Sequence, residues 1–141
     1  MGQFKYEKEL GTFSDCPGKC RELDKSVLFR LVHGEAEDRR NHLPNALLPP
    51  RVNNPNYKLS CGDYALSFFD SESELRKLRT QIHNSNPNYL VLSIGYLVAQ
   101  FETSSGDGRF TPRNAKGHIM LHEFATCNLS SRLKVIGDAL S

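Results

Sequence analysis

Apolar residues along this chain fall into a few dense blocks separated by long polar stretches, and the spacing inside each block predicts its secondary structure. VLFRLVH (27–33) is short, β-branched and apolar, and reads as a strand. Two-residue periodicity places Val27, Phe29, Leu31 and His33 on one face, with Leu28, Arg30 and Val32 on the other. LSCGDYALSFF (59–69) predicts a second strand after a turn or bulge at Gly62 and Asp63. In DSESELRKLRTQIH, Leu75, Leu78 and Ile82 form a stripe at helical spacing, and Ser71 with Glu74 has the form of a capping box. Glu72 and Glu74 also suit the positive end of a helix dipole, so a helix is expected over 71–83, ended by NSNPN.

YLVLSIGYLVAQF (89–101) is apolar on both faces and predicts a long central strand. GHIMLHEF is too short for an independent helix and predicts another strand, over 117–125. Leu129, Leu133, Ile136 and Leu140 return to helical spacing with Ser130 as a cap, so a second helix is expected over 129–140, weakened by Gly137. Residues 1–25 are polar, poorly periodic and broken by Gly11, Pro17 and Gly18, and read as an irregular arm ahead of a single domain, 26–141. The whole is an α+β domain: a mixed or antiparallel sheet of about four strands packed by two helices.

Two loops stand out. Residues 34–58 combine the charged run EAEDRRNH with PNALLPPRVNNPNY, which carries four of the seven prolines. Pro49-Pro50 excludes helix there. The stretch is either a packed surface crossing anchored by Leu47 and Leu48, or, over 44–57, a segment that docks a protein partner. ETSSGDGRFTPRNAKG (102–117) reads as a flexible loop.

Composition changes this picture little. The chain has 141 residues, enough for a core without metal or disulfide support. Its 18 basic and 16 acidic residues leave a net charge of +2, so a case for nucleic acid rests on local clustering. No apolar run approaches the roughly 18 residues of a membrane span. The N-terminus lacks a signal-peptide core, and Tyr6 stands where Met1-Gly2 myristoylation wants Ser or Thr. A cytoplasmic protein with no membrane partner and four reduced cysteines is the expectation.

The loop RFTPRNAKGH holds the clearest functional signal. Arg109, Arg113 and Lys116, with Phe110 among them, suit a phosphate-bearing ligand or unstacked bases. His118 and His122 share a face in strand or helix, and would need a third ligand such as Glu123, Cys127, Cys61 or His33 to hold zinc. Their order, H-x-x-x-H-E, matches neither common zinc-peptidase pattern, so a metal-dependent hydrolase is only a minor expectation. Cys16 and Cys20, in CPGKC, lack the second close pair that a structural zinc site wants.

An Arg in the first core strand (VLFRLVH), a strand with Tyr and Ser (DYALSFF), a helix, and a strand ending in Glu102 resemble the layout of ADP-ribosyltransferase-like folds, including RES-type toxin domains. The resemblance spans about 27–125. It implies NAD as cofactor, with Arg30, Tyr64 and Glu102 or Glu123 around it. The reading favoured over these enzymes is a small binding or regulatory protein that contacts a phosphate-bearing ligand or nucleic acid through 109–118.

Overall fold

In a computed structural model of the chain, residues 3–35, 38–49 and 51–137 are described. The expectations at Met1-Gly2, Pro50 and Leu140 lie outside these residues. The chain forms one six-stranded antiparallel sheet in the order β4-β5-β2-β1-β3-β6. A short helix α1 (Glu7–Leu10) precedes β1 (Val27–Val32) and β2 (Leu66–Phe69). Helix α2 (Glu72–Ser85) and a brief turn α3 (Pro87–Tyr89) lead to β3 (Leu97–Glu102), β4 (Gly108–Phe110), β5 (His118–Glu123) and β6 (Lys134–Gly137). The sheet is thus antiparallel, with two strands more than the hydrophobic blocks predict.

The alternation expected for β1 builds two cores. Leu28 joins Leu66, Phe68, Phe101, Phe110 and Leu121 on one side of the sheet. Leu31 and Phe29 join Phe69 and Val98 on the other, where Leu75, Leu78 and Ile82 of α2 cover them. Ser71 caps helix α2 as the sequence indicates, its Oγ accepting a hydrogen bond from the Glu74 amide at 3.2 Å, but the reciprocal half of the expected capping box is missing, because the Glu74 carboxylate accepts from Lys77 instead.

Several expectations are corrected. Residues 89–101 are not one strand. Pro87 opens a helical turn, Leu90–Ile94 continues it as a π-turn, and only Leu97–Glu102 is extended. Gly95 marks the break, with φ +97° and a position where a Cβ would collide with the Val32 backbone. Residues 129–137 are not helical either, and the rest of the expected helix lies outside the described residues. Residues 134–137 pair with the outer edge of β3, which suits the β-branched Val135 and Ile136 and avoids the helical cost of Gly137. The 102–117 segment, read as a flexible loop, contains β4, and there Gly108 at φ +149° lets the chain approach the His122 carbonyl.

The N-terminal segment is fastened to this sheet. Phe4 bridges Phe124, Arg21 bridges Phe110, and Cys16 forms a disulfide with Cys61. That bond corrects the expectation of four reduced thiols and separates Cys16 from Cys20, whose thiol donates to the Pro17 carbonyl. Cys61 opens a 3-10 turn (Cys61–Tyr64) where strand was expected. Its N-terminus is closed by Asp63, whose carboxylate accepts from the Ser60 amide at 2.7 Å.

Candidate functional site

The β1–β2 ladder is the point from which the site grows. The two strands pair only at Phe29 and Phe69 and then diverge, while β1 and β3 stay paired along all six positions. Loop residues 43–48 enter the opening from outside. Pro44, Ala46 and Leu48 are buried there, whereas Leu47 is half-buried, so Leu48 anchors this crossing and Leu47 does so less. Between the loop, the diverging strands and α2 lies a cavity of about 190 Å³. Its wall is largely apolar, from Leu31, Phe69, Leu75 and Ile82 among others, with Arg30, Asn45, Ser67, Tyr89 and His118 as polar groups.

Arg30 is the unusual member. Its guanidinium spans the opened ladder, donating from Nη1 to the Ser67 carbonyl at 2.9 Å and from Nη2 to the Asn41 carbonyl at 3.0 Å. Its Cζ lies 5.4 Å from the centre of the Phe68 ring. The residue is 7% exposed and its Nε has no hydrogen-bond partner. Among the described residues no carboxylate forms an ion pair with it. Burial lowers its pKa to about 10, with Glu123 acting in the opposite direction from a distance. It therefore keeps its charge at neutral pH, in the wall of an apolar cavity, beside neutral acceptors only.

The two histidines share a strand face as their spacing requires, but their surroundings differ. His118 lines the cavity, with its ring 5.1 Å from that of Phe69, and burial lowers its pKa. His122 is 2% exposed and its Nε2 lies 4.0 Å from Cys61 Sγ, which is tied up in the disulfide. Burial lowers its pKa to about 4. Among the described residues no three of His, Cys, Asp and Glu come together as a metal-binding group. Cys127 is buried, with its thiol pKa raised to about 12 by that burial. Glu123, on the opposite strand face to the histidines, accepts from Lys5 Nζ at 2.8 Å.

The basic loop is less open than its sequence implies. Arg113 Nε donates to Asp70 at 2.6 Å, so its charge is partly neutralised. Phe110 is 1% exposed in the core and cannot stack on a base. Arg109 is half-buried on β4, opposite His122, and Lys116 is exposed. The loop does adjoin the cavity, through His118.

The residues of the ADP-ribosyltransferase-like layout do not all converge. Tyr64 packs 5.9 Å from Tyr6 and 6.2 Å from Phe13, under the N-terminal segment. Glu102 pairs with Val27, three residues along β1 from Arg30 and on the other face, roughly 10 Å down the strand. Glu123 is the acidic candidate whose charge acts on Arg30. Asn45 and Tyr89 carried no distinguishing signal in the sequence, and Ser67 entered only as the Ser of DYALSFF in the family resemblance. Polar residues in a loop, on a strand and beside a turn have no period that marks them as neighbours.

No family model, no curated protein and no solved structure matches the chain. No helix among the described residues is long and apolar enough to cross a membrane.

Proposed function

We propose that this chain is a binding protein for an organic anion, a carboxylate or a phosphate ester, whose acid group meets Arg30 and whose apolar body enters the cavity between α2 and the opened β1–β2 ladder. The supporting observation is Arg30, a buried cation whose Nε has no hydrogen-bond partner and which has no carboxylate ion pair among the described residues, in the wall of a largely apolar chamber. A charge in that position gains most from an anion delivered with the ligand. An apolar cavity of roughly 150 Å³ accepts a benzene ring, so a chamber of about 190 Å³ suits one ring or a short chain. His118, neutral at ordinary pH, adds a hydrogen-bonding group without a competing charge.

The test is calorimetric titration of benzoate and phenyl phosphate into the protein and into Arg30→Met. Binding that weakens at least tenfold in the variant is the expected outcome, matching the roughly 1.5–3 kcal/mol of a charge-assisted hydrogen bond. Equal binding by both proteins, or none by either, rejects the reading.

Contact between the 109–118 loop and nucleic acid is a separate reading, carried by Arg109 and the exposed Lys116. It requires steep salt dependence that disappears in the Arg109→Ala, Lys116→Ala double variant. The NAD-consuming reading retains Arg30 and Glu123 and predicts nicotinamide release that stops in Glu123→Gln. Pro44, Asn45 and Leu48 line the cavity in the favoured reading, which gives the start of that proline-rich stretch a role without a protein partner. As to location, Cys16–Cys61 fits an oxidising compartment directly, while a cytoplasmic setting needs the bond to be redox-linked. Thiol counts on freshly isolated protein, with and without reductant, separate the two.

A further inference from the structure

A second cleft, of about 180 Å³, lies next to the first. It runs between Pro49 and the π-turn, and its wall includes Asn86, Leu92 and Ser93. Among the described residues Tyr89 alone lines both spaces, the chamber that holds Arg30 and an outer cleft open to solvent, so it stands where the two meet.

Three features bear on what Tyr89 does there. Tyr89 is the last residue of α3, where the regular helix gives way to the π-turn Leu90–Ile94, and such irregular turns concentrate at functional sites. It is half-buried, and its hydroxyl has no hydrogen bond among the described residues that would pin the ring. Beyond it the cleft is mostly apolar: Leu92 is 59% exposed at its edge, beside Val91 at 53%. These two adjacent side chains give the edge of the cleft an apolar surface on which an alkyl chain can lie. Neither space alone reaches the roughly 300–1,000 Å³ of ordinary small-molecule sites, but joined they do.

Resting on the anion-binding reading above, we infer that the ligand is an elongated organic acid with an alkyl chain, its acid group at Arg30 and its chain passing Tyr89 into the outer cleft. Tyr89 then acts as a swinging gate that sets which chain lengths are accepted. The inner chamber alone takes the short acids. Longer ones are bound only when the ring moves aside, and the exposed Leu92 edge is what their far end covers.

Straight-chain carboxylates from butanoate to decanoate, titrated calorimetrically, test this. With wild-type protein, affinity should rise about fourfold for each methylene buried and continue to rise to the longest member. In Tyr89→Trp, a bulkier partition, the gain in affinity with chain length should stop at hexanoate, so that octanoate and decanoate bind no better than hexanoate. Tyr89→Ala should favour the long acids over wild type. Leu92→Glu, on an exposed position that folding tolerates, should weaken decanoate at least tenfold and leave butanoate unchanged. If Tyr89→Trp and Leu92→Glu both bind the whole series as wild type does, the gate and outer cleft are wrong while the Arg30 site stands. If wild type binds benzoate or phenyl phosphate but no alkyl acid or octyl phosphate, the elongated ligand is wrong while the Arg30 site stands; if it binds none of them, both fall. Octyl phosphate, run beside nonanoate, distinguishes a phosphate from a carboxylate head.

Discussion

Two arginines flank one aromatic pair, and the contrast between their surroundings separates a cation matched within the fold from one held by neutral groups at a cavity wall. Phe68 and Phe101 stack in the core with ring centres 5.3 Å apart. Arg30 lies over the first ring at 5.4 Å and Arg132 over the second at 4.7 Å. Arg132 meets the buried Asp107 carboxylate through two guanidinium nitrogens and donates to the Glu102 carbonyl at 2.9 Å. The hydrogen bond to Asp107 raises its pKa. Charge and counter-charge are thus matched within the fold, and the pair clamps β3, the 104–107 turn and the entry to β6. Arg30 has the same stacking partner type but only neutral carbonyls to hold it. An unmatched buried charge is a liability in a stable core, and one that faces a cavity is a means of recognition.

The largest expected effect concerns the frame that holds the Arg30 side. Cys16–Cys61 closes a sequence separation of 45 and fastens the turn leading into β2, whose Ser67 carbonyl receives Arg30. Chain-entropy reasoning puts its contribution at about 4 kcal/mol. Cys16→Ser with Cys61→Ser should lower unfolding stability by that order in denaturant titration. Amide exchange should rise first along 59–66, while the Arg132–Asp107 region stays protected. Uniform loosening of both sides would mean that the two arginine regions are not held independently.

Next is the contrast itself. Arg132→Met strands a carboxylate that is 3% exposed, with the Ser104 amide as a remaining donor, and should cost about 3 kcal/mol. Arg30→Met loses two carbonyl hydrogen bonds but relieves the burial of an unpaired cation, for a net cost of about 1 kcal/mol. Denaturation midpoints of the two variants measure the gap. If Arg30→Met is as damaging as Arg132→Met, Arg30 is a structural residue and the cavity has no reason to bind an anion.

Some of this was legible in the sequence. The two faces of 27–33, the capped helix near 71–83 and the strand at 117–125 follow from local periodicity and capping, and the structure reproduces them. The segments that went another way were decided by long-range partners. Residues 134–137 carry a helical stripe yet pair as a strand, because the edge of β3 is available to them. The apolar run at 89–101 splits because Gly95 must pass close to Val32, a neighbour more than 60 residues away in sequence. The site suffered the same loss of information. Arg30 was singled out only through a family resemblance, and the feature that distinguishes it, the early parting of β1 and β2, has no local signature.

His122 resolves the burial of a basic group in a third way, by giving up its proton. Its folded-state pKa of about 4 lies below the ordinary value of 6.5, so the unfolded chain takes up the proton first as pH falls. Stability from this group is complete above about pH 7 and is lost as pH drops from 6.5 toward 4. Between pH 8 and pH 5 the loss should be about 2 kcal/mol. His33 and His118, also lowered mainly by burial, act in the same direction, so the quantity to read is the difference between wild type and His122→Gln. A pH profile no flatter in the variant would show that His122 is not the neutral, buried group described.

Arg113 supplies the smallest effect and the control. It pairs with Asp70 as Arg132 pairs with Asp107, with two hydrogen bonds to the carboxylate, but at the surface. Its side chain is 55% exposed, where water and salt screen the pair. Arg113→Ala should leave the denaturation midpoint unchanged at physiological ionic strength and leave carboxylate binding intact. Geometry alone would rank Arg113 beside Arg132, and charge alone would rank it beside Arg30. A loss of stability would mean that burial does not govern the value of these pairs. A loss of ligand affinity would move the anion site from the cavity wall to the 109–118 loop, because Arg113 reaches the ligand only if the acid group lies outside.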